Sequence, residues 1–306
     1  MEASRAVPPR VGALVLNYNG RDITLESLAS LEAMTYPTYD LFVVDNGSTD
    51  GSYEAIAESF PGVEQIRTEE NLGPAGGLNL GVRELLGRDY DYLLILNNDI
   101  EADSRMLDEL VAVAESNPRI GCVGPKIFYY WNRDRLWSTG GIIRFRESVT
   151  RERGMGELDT GQYERTEEVD YISGCAILIP TRVMRQVGLY DPVFHLACED
   201  ADWCLRMKRQ GYESVYAHRA LLWHMVSMST GVYKPGRTYQ VGRSTAIFFR
   251  RYGSRLQRLA FFFWLALAIP AAFVRELPKG NQAAAIAKLK GALDGWRVPL
   301  GPPPAA

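Results

Sequence analysis

Residues Leu93–Asp99 read LLILNND, four apolar side chains followed by three polar ones. An apolar run bounded by polar residues suits a parallel strand buried on both faces, with Tyr90–Tyr92 as its aromatic entry. Asn97, Asn98 and Asp99 then stand where the strand leaves the sheet. In open α/β sheets, ligands bind in the crevice outside the carboxyl ends of the strands. A hard divalent cation takes oxygen ligands, and Mg²⁺-type sites often combine one or two carboxylates with substrate phosphates. Asp99 is therefore read as holding a metal that holds a diphosphate. The plainer reading is a turn, for which Asn and Asp are ordinary residues.

The chain before that run alternates strand and helix. Val11–Leu16 reads as a buried strand ending at Asn17-Tyr18-Asn19-Gly20, and Asp22 can cap a helix running to about Glu32. Leu41–Val44 is a second strand, closed by Asp45-Asn46-Gly47-Ser48-Thr49-Asp50. A helix over Ser52–Phe60 and a short strand, Val63–Arg67, follow. Asn71–Gly77 (NLGPAGG) is a flexible turn into a helix containing Asn79 and Leu85, and Ser104–Ser116 is the helix after LLILNND. This alternation argues for an α/β fold, a mostly parallel sheet with helices on both faces. No GxGxxG follows the first strand and there is no GxxxxGK[ST], which argues against dinucleotide and P-loop folds.

After Gly124 the texture changes. Phe128–Thr150 is aromatic and Arg-rich with a Gly140-Gly141 break, and reads as a hairpin or irregular insertion. Glu152–Glu168 reads as a mobile polar loop, Val169–Pro180 as one buried strand and Thr181–Val187 as a helix. Glu199, Asp200 and Asp202 open a helix that continues to about Gln210 and is closed by Gly211. Acidic residues suit a helix N-terminus, and capping accounts for one or two of the three. The surplus carboxylate fits a general base for an acceptor hydroxyl. Glu213–Tyr216 is a short strand. His224, one of 3 histidines, stands at the start of a polar loop, Ser227–Thr238. Beside Trp223 and Met225 it reads as a packed side chain, although neutral imidazole is a common metal ligand.

The 306 residues, 46% hydrophobic and 23% charged, supply a core for one large or two small globular domains. The net charge of −3 gives no reason to expect a nucleic-acid partner, but its distribution is uneven. Ser214–Arg275 contains no Asp or Glu, yet Arg237, Arg243, Arg250, Arg251, Arg255 and Arg258 all fall there. Such asymmetry points to an anionic partner, either a phosphate group or a membrane surface. Cys122, Cys175, Cys198 and Cys204 form no CxxC pair and read as reduced, buried thiols of a cytoplasmic protein. MEASRAVPPR lacks the apolar stretch of a signal peptide.

Taken in order, VLNYNG, VVDNGSTDGS, ENLGPAGGLNLGV, LLILNND, VDYISGCAILIP, VGLYDPVF, CEDADWCLRMKRQGY and WHMVSMSTG resemble the family 2 glycosyltransferases. The resemblance is narrower to the rhamnosyltransferase-like branch, which builds bacterial surface polysaccharides, and it extends through Arg243–Tyr252 and LKGALDG. It implies a GT-A fold and an inverting transfer of rhamnose or a related hexose from a nucleotide-diphosphate sugar to a hydroxyl of a glycan or lipid-linked acceptor. Asp45 would contact the base or ribose, with Asn17, Tyr18, Asn19 and Asn98 lining the same pocket. Asn71, Gly73, Gly77 and Asn79 would approach the donor. Asp99 and His224 would bind Mn²⁺ or Mg²⁺, Asp200 would be the base, and Glu199 and Asp202 would orient it or meet the acceptor. Residues of Lys234–Arg243 would close over the diphosphate. Two departures stand out: Asn97 replaces the first Asp of an Asp-x-Asp motif, lowering the charge offered to a metal, and Leu196-Ala197-Cys198 lacks an aromatic run before the Glu-Asp pair.

Two rivals remain at this level. A sugar-nucleotide pyrophosphorylase would want a Gly-rich, Arg- and Lys-containing loop after the first strand, which Asn17–Arg21 does not supply. A membrane-bound, catalytically silent scaffold is suggested by Asn97 and the apolar C-terminal stretch, and opposed by Asp99, Asp200 and His224. The chain divides into a disordered lead-in (1–10), a catalytic domain (11–238, with nucleotide-sugar half 11–124 and acceptor half 125–238), a C-terminal helical region (239–300) and a tail (301–306). In the C-terminal region Leu259–Val274 is apolar, short of the roughly 20 residues a spanning helix needs, and interrupted by Pro270. On a helical wheel Arg243, Arg250, Arg251, Arg255 and Arg258 share one side, as a helix on an anionic membrane surface would arrange them. The expected location is therefore peripheral, on the inner face of the plasma membrane, and a homo-oligomer is compatible with the same features.

Overall fold

In a computed structural model, the structure describes residues 7–145, 149–226 and 234–306. Strands β1 (Val11–Asn17), β2 (Tyr39–Asp45), β3 (Glu64–Arg67) and β4 (Tyr92–Asn97) alternate with helices α1 (Arg21–Glu32), α2 (Ser52–Ser59) and α3 (Gly73–Leu86). They form a parallel sheet in the order β3-β2-β1-β4. The register pairs Asn17 with Asp45 and Leu16 with Asn97, so the polar ends of β1, β2 and β4 lie in one row. One face buries Leu14, Phe42, Val44, Leu93 and Ile95 beneath α3. The other buries Ala13, Val15, Val43, Leu94 and Leu96 beneath α1 and α4 (Met106–Glu115). Period-two alternation of apolar residues on both faces is what makes these strands read as continuous hydrophobic runs.

The sheet continues through β5 (Ile100–Ala102), β6 (Ile120–Tyr129), β7 (Asn132–Ser138), β8 (Gly141–Ile143), β9 (Thr150–Glu152), β10 (Glu167–Val169), β11 (Ala176–Pro180) and β12 (Glu213–His224), although β8 and β9 pair only with each other. Antiparallel β11 lies between β4 and β6, and β12 runs parallel to β6. Helices α5 (Thr181–Val187) and α6 (Glu199–Lys208) precede β12, and α7 (Pro235–Tyr252), α8 (Arg255–Glu276) and α9 (Gln282–Arg297) follow it.

Several expectations need correction. Val169–Pro180 is not one strand: it leaves the sheet between β10 and β11, and there Gly174 N–H donates to Asp200 Oδ2 at 3.0 Å. Glu152–Glu168 is not a free loop. It begins on β9 and is pinned by Lys126, buried beneath it, whose Nζ binds Asp159 and Glu164. β12 does not stop at Tyr216 but runs to His224 through a bulge between Ala217 and Leu221. Asp22 lies in the first turn of α1, whose N-cap is Gly20. The disordered lead-in read at 1–10 falls partly outside the described residues; within them, Arg10 N–H donates to Asp91 and Tyr36 O–H to the Pro9 carbonyl. Residues 227–233 of the polar loop and of WHMVSMSTG also lie outside the described residues.

The basic helical face is the largest correction. Gly253 and Ser254 separate α7 from α8, so Arg255 and Arg258 begin a new helix with a Ser254–Gln257 capping box. Arg243, Arg250 and Arg251 turn inward. Arg243 donates to the Val193 carbonyl and Arg250 to the Gly295 and Val298 carbonyls. Arg251 binds Asp202 at 2.8 Å and Asp191 at 2.7 Å. A guanidinium with five fixed donors is suited to such junctions, where helix ends leave carbonyls unpaired. α9 lies against α7 closely enough that a Cβ at Gly291 would fall 2.0 Å from the Tyr239 carbonyl oxygen. α8 continues through Pro270 and is almost uncovered: only 6% of its most apolar stretch is buried, and Leu259, Phe263 and Leu267 face outward.

Asp202 joins α6 to α7. It is fully buried and accepts hydrogen bonds from Arg206 (2.9 Å), Arg251 (2.8 Å) and Tyr252 (2.6 Å). Removing one partner of a buried ion pair leaves the other charge uncompensated, at a cost of about 3–5 kcal/mol. Asp202→Ala is expected to lower the free energy of denaturant unfolding by about that amount. A loss under about 1 kcal/mol, the scale of an exposed pair, would show that this junction does not hold the helices together.

Candidate active site

β4 ends at Asn97, and after one turn the chain enters β5, which pairs antiparallel with the end of β12 in the register Ile100↔His224. Met225 N–H donates to the Asp99 carbonyl at 2.9 Å, closing that pairing. The two side chains, 125 positions apart, thus meet with Asp99 Oδ1 3.1 Å from His224 Nε2, and both are largely buried. The Trp137 ring packs edge-on against the imidazole at 4.5 Å. His224 Nδ1 is buried and has no hydrogen-bond partner among the described residues.

These two residues fit a divalent cation. Their 3.1 Å contact brings a carboxylate oxygen and an imidazole nitrogen together at one point of the site. Carboxylate oxygen and neutral imidazole nitrogen are a suitable donor set for Mn²⁺ or Mg²⁺. Among the described residues there is no cluster of three or more His, Cys, Asp or Glu arranged to hold an ion. Asp99 and His224 could hold such an ion, with substrate phosphates and water completing its shell.

The residues read as donor-binding fall into two sets. Asn17, buried at the end of β1, donates to Asp45 Oδ2 at 3.0 Å and accepts from Thr24 and Asn98. Asn19, at φ 50°, accepts from Thr49 N–H at 2.8 Å, and Tyr18 between them is 45% exposed. Asn71 accepts from Gly73 N–H and Asn46, ordering the turn into α3. The other set turns inward. Asp45 is fully buried, and its oxygens accept from Ser48 N–H and Asn17, so the carboxylate shapes its own loop. Asn79 clasps the Tyr190 backbone at 2.8 and 3.0 Å, tying α3 to the segment before α6. Gly77 is a packing glycine: a Cβ there would fall 2.6 Å from Leu16 Cδ1.

Glu199 and Asp200 open α6 into a cleft of about 300 Å³ also lined by Asn97 and His224. The chain reaches them through Ala197 (φ 66°) and Cys198 (φ 70°), consecutive non-glycine residues in the left-handed region. Such conformations cost of order 1–3 kcal/mol each and persist where the surroundings over-determine them. Asp200 accepts from Gly174 N–H at 3.0 Å and Ala201 N–H at 2.7 Å. Burial raises its pKa, and the two N–H bonds oppose that rise. Glu199 Oε2 is buried with no hydrogen-bond partner among the described residues, and burial together with the charge of Asp200 pushes its carboxyl up to about 8. Asp202, read as part of this set, faces the other way into the α6–α7 junction.

The cleft also contains residues that the sequence reading missed. Glu152 enters from β9, Tyr171 and Ser173 come from the segment between β10 and β11, and Tyr190 precedes α6. The motif stretches VDYISG and VGLYDP passed through the two tyrosines without marking their side chains as site residues. Arg237, from the first turn of α7, is a cation on the same cleft. Lys234–Arg243, some of whose residues were expected to close over the diphosphate, is largely the start of a helix.

The family model described as glycosyl transferase family 2 matches residues 13–188, more than half the chain. N-acetylglucosaminyl-diphospho-decaprenol L-rhamnosyltransferase of Mycobacterium tuberculosis is 29% identical over 227 residues, covering 67% of this chain and 72% of that enzyme. Among solved structures, the mannosyltransferase PcManGT from Pyrobaculum calidifontis, in complex with GDP-Man and Mn²⁺, aligns with a TM-score of 0.60 at 17% identity, covering 94% of this chain and 88% of that one. GalNAc-T7 with UDP, GalNAc and Mn²⁺ aligns with a TM-score of 0.62 at 14% identity, covering 83% of this chain; the match spans 53% of that longer protein. The fold is therefore GT-A-like, and the chain belongs to glycosyl transferase family 2.

Proposed function

We propose that this protein is an inverting, metal-dependent glycosyltransferase that moves a sugar, rhamnose or a related hexose, from a nucleotide-diphosphate donor to a hydroxyl of a glycan or lipid-linked acceptor in bacterial cell-surface polysaccharide synthesis. The observation that carries this reading is that His224, partner of Asp99, and the pair Glu199-Asp200 line one cleft at the carboxyl ends of the strands. The likeness to the mycobacterial rhamnosyltransferase supports a polyprenyl-linked acceptor. A bound divalent cation would supply Lewis-acid stabilisation of charge developing on the leaving diphosphate. Asp99 and His224 would hold it, and Arg237 faces the same negative charge. Tyr18, exposed just beyond the end of β1, suits stacking on the nucleobase. Asp200 takes the acceptor proton, a contribution typically of ~10²–10⁴-fold. Apolar side chains of Leu16, Leu78, Leu196 and Val241 line the remaining wall and limit water.

The division into a catalytic domain at 11–238 and a helical region at 239–300 belongs to the same reading, with α8 resting on the inner face of an anionic plasma membrane. Both flanking helices argue for lying on the bilayer. Residues Arg255–Lys279 have the length and composition to span. Yet Thr238 O–H donates to the Ala284 carbonyl at one end of the α7–α9 pair, and Arg250 donates to Gly295 and Val298 at the other. Both ends of α8 are thus tied to the same protein body, which supports a helix lying along the membrane surface.

Three outcomes test this. Asp200→Asn should retain nucleoside-diphosphate affinity and lose turnover by about 10²-fold or more; near-normal transfer would remove Asp200 from the role of base. Asp99→Ala and His224→Ala should each weaken Mn²⁺-dependent binding of a nucleoside diphosphate much more than binding of the nucleoside, read by calorimetry. Equal binding to the parent protein would place the metal elsewhere. In liposome flotation the full chain should float with anionic vesicles and be partly released by salt. The triple variant Leu259→Glu, Phe263→Glu, Leu267→Glu should stay in solution, and its flotation with the parent would remove α8 from the contact.

A further inference from the structure

The β8–β9 hairpin stands between the cleft and a second cavity. Gly141 N–H donates to the Tyr171 carbonyl at 2.9 Å, and a Cβ at Gly141 would fall 2.0 Å from Tyr171 Cε1, so that ring crosses the hairpin at a glycine. Further along, Ile143 stands opposite Thr150, and Arg144 N–H donates to the Val149 carbonyl at 2.7 Å. Directly opposed residues share a face of a strand pair, with Cβ atoms roughly 5 Å apart. Thr150 lines the cleft, whereas Ile143, Arg144 and Phe145 line an open cavity of about 550 Å³, together with Gln257 from the first turn of α8. The two cavities are therefore neighbours at one rung of the hairpin.

The lining of the second cavity selects its ligand. Ile143 and Phe145 are apolar, and the Phe145 ring packs on Phe248 at 5.9 Å and Phe249 at 5.4 Å. Phe249 in turn meets Phe261 of α8 at 4.9 Å, so aromatic side chains run from the cavity to the helix whose apolar face is uncovered. The two polar side chains are donors. Arg144 is exposed, and its side chain has no partner among the described residues. Gln257 Oε1 already accepts from Ser254 N–H at 2.7 Å, which leaves the amide NH₂, a donor only, free to bond a ligand. Arg255 and Arg258 flank Gln257, and no acid stands in that first turn. Donors and cations beside apolar walls suit an anion carried on an apolar stem, and a guanidinium can pair with two phosphate oxygens at once.

We propose that this cavity binds the diphosphate of a lipid-linked acceptor, with the apolar chain along α8 and the attached sugar reaching the cleft over the hairpin. This rests on the transferase reading above and gives its acceptor a place. A bilayer phospholipid shares the phosphate and the apolar chain, but the position of the cavity, one hairpin rung from the cleft that holds Asp200, favours the substrate. The donor's diphosphate has its own place at Asp99 and His224, so the two diphosphates do not compete.

The probe is farnesyl diphosphate, titrated calorimetrically into the full chain in EDTA, so that no metal draws a diphosphate to the cleft. The wild type should bind it more tightly than inorganic diphosphate or farnesol, because farnesyl diphosphate alone meets both the donors and the apolar walls. Arg144→Ala should weaken that binding about tenfold or more, the scale of a hydrogen bond to a charged group, and Arg144→Lys should recover part of the loss. No binding by the wild type, or equal binding by Arg144→Ala, would overturn the proposal. Soluble dihexanoyl phosphatidylglycerol should bind more weakly than farnesyl diphosphate; equal binding would assign the cavity to bilayer lipid instead. With Mn²⁺ supplied, saturating UDP should leave farnesyl diphosphate bound, and its displacement would put the lipid diphosphate in the cleft and overturn the site. None of these measurements needs turnover, so the expected binding without sugar transfer would fault the transferase reading alone.

Discussion

The site depends on the short antiparallel pairing between β5 and the end of β12. β4 is a parallel strand whose side chains are committed to two cores, and nothing within it can supply a partner for Asp99. Turning back at once into β5 gives the chain a new edge, and β12 takes it in the register that sets His224 beside Asp99. A one-residue slip would flip every side chain of that end of β12 to the opposite face of the sheet. The bulge between Ala217 and Leu221 sets which residues of β12 reach the end of the sheet.

The acidic side of the cleft rests on a different balance. Left-handed Ala197 and Cys198 and the crowding of two partly buried carboxyls, Glu199 and Asp200, are each unfavourable. They are held by contacts from several elements: Ser244 of α7 donates to the Leu196 carbonyl, Arg243 to the Val193 carbonyl, and Asn79 clasps Tyr190. Stability elsewhere offsets strain at the place where a carboxylate must face an acceptor. The same contacts couple α7, and through it α9, to the start of α6, so the helices that frame the exposed α8 also brace the proposed base.

What could be read from the sequence follows the range of the interactions. β1 to β4 and their helices are legible because apolar runs and turn residues are local, and the ends of those strands mark the ligand edge. Asp99 and Glu199-Asp200 were legible as carboxylates at the ends of elements. Glu152 was not, because its neighbours in sequence are polar and its partners are Tyr171 and Ser138, 19 and 14 positions away. The Gly140-Gly141 break was the signal available, since Gly141 is where Tyr171 crosses the hairpin. Arg243, Arg250 and Arg251 misled for the complementary reason: a helical wheel places side chains on a side without saying whether that side meets solvent, carbonyls or carboxylates. Asp202 fell into the same trap, as a helix-opening acid whose partners, Arg251 and Tyr252, lie 49 and 50 positions away.

The central claim is that one cleft holds a metal-bound diphosphate at Asp99 and His224 within reach of Asp200. The most direct measurement is a crystal of the protein with a nucleoside diphosphate and Mn²⁺, with anomalous scattering collected at the manganese edge. The account predicts an anomalous peak coordinated by Asp99 and His224 Nε2, with the diphosphate on its open side and the nucleoside extending towards Tyr18. A peak elsewhere, or a diphosphate bound away from the ends of β1 and β4, would contradict it.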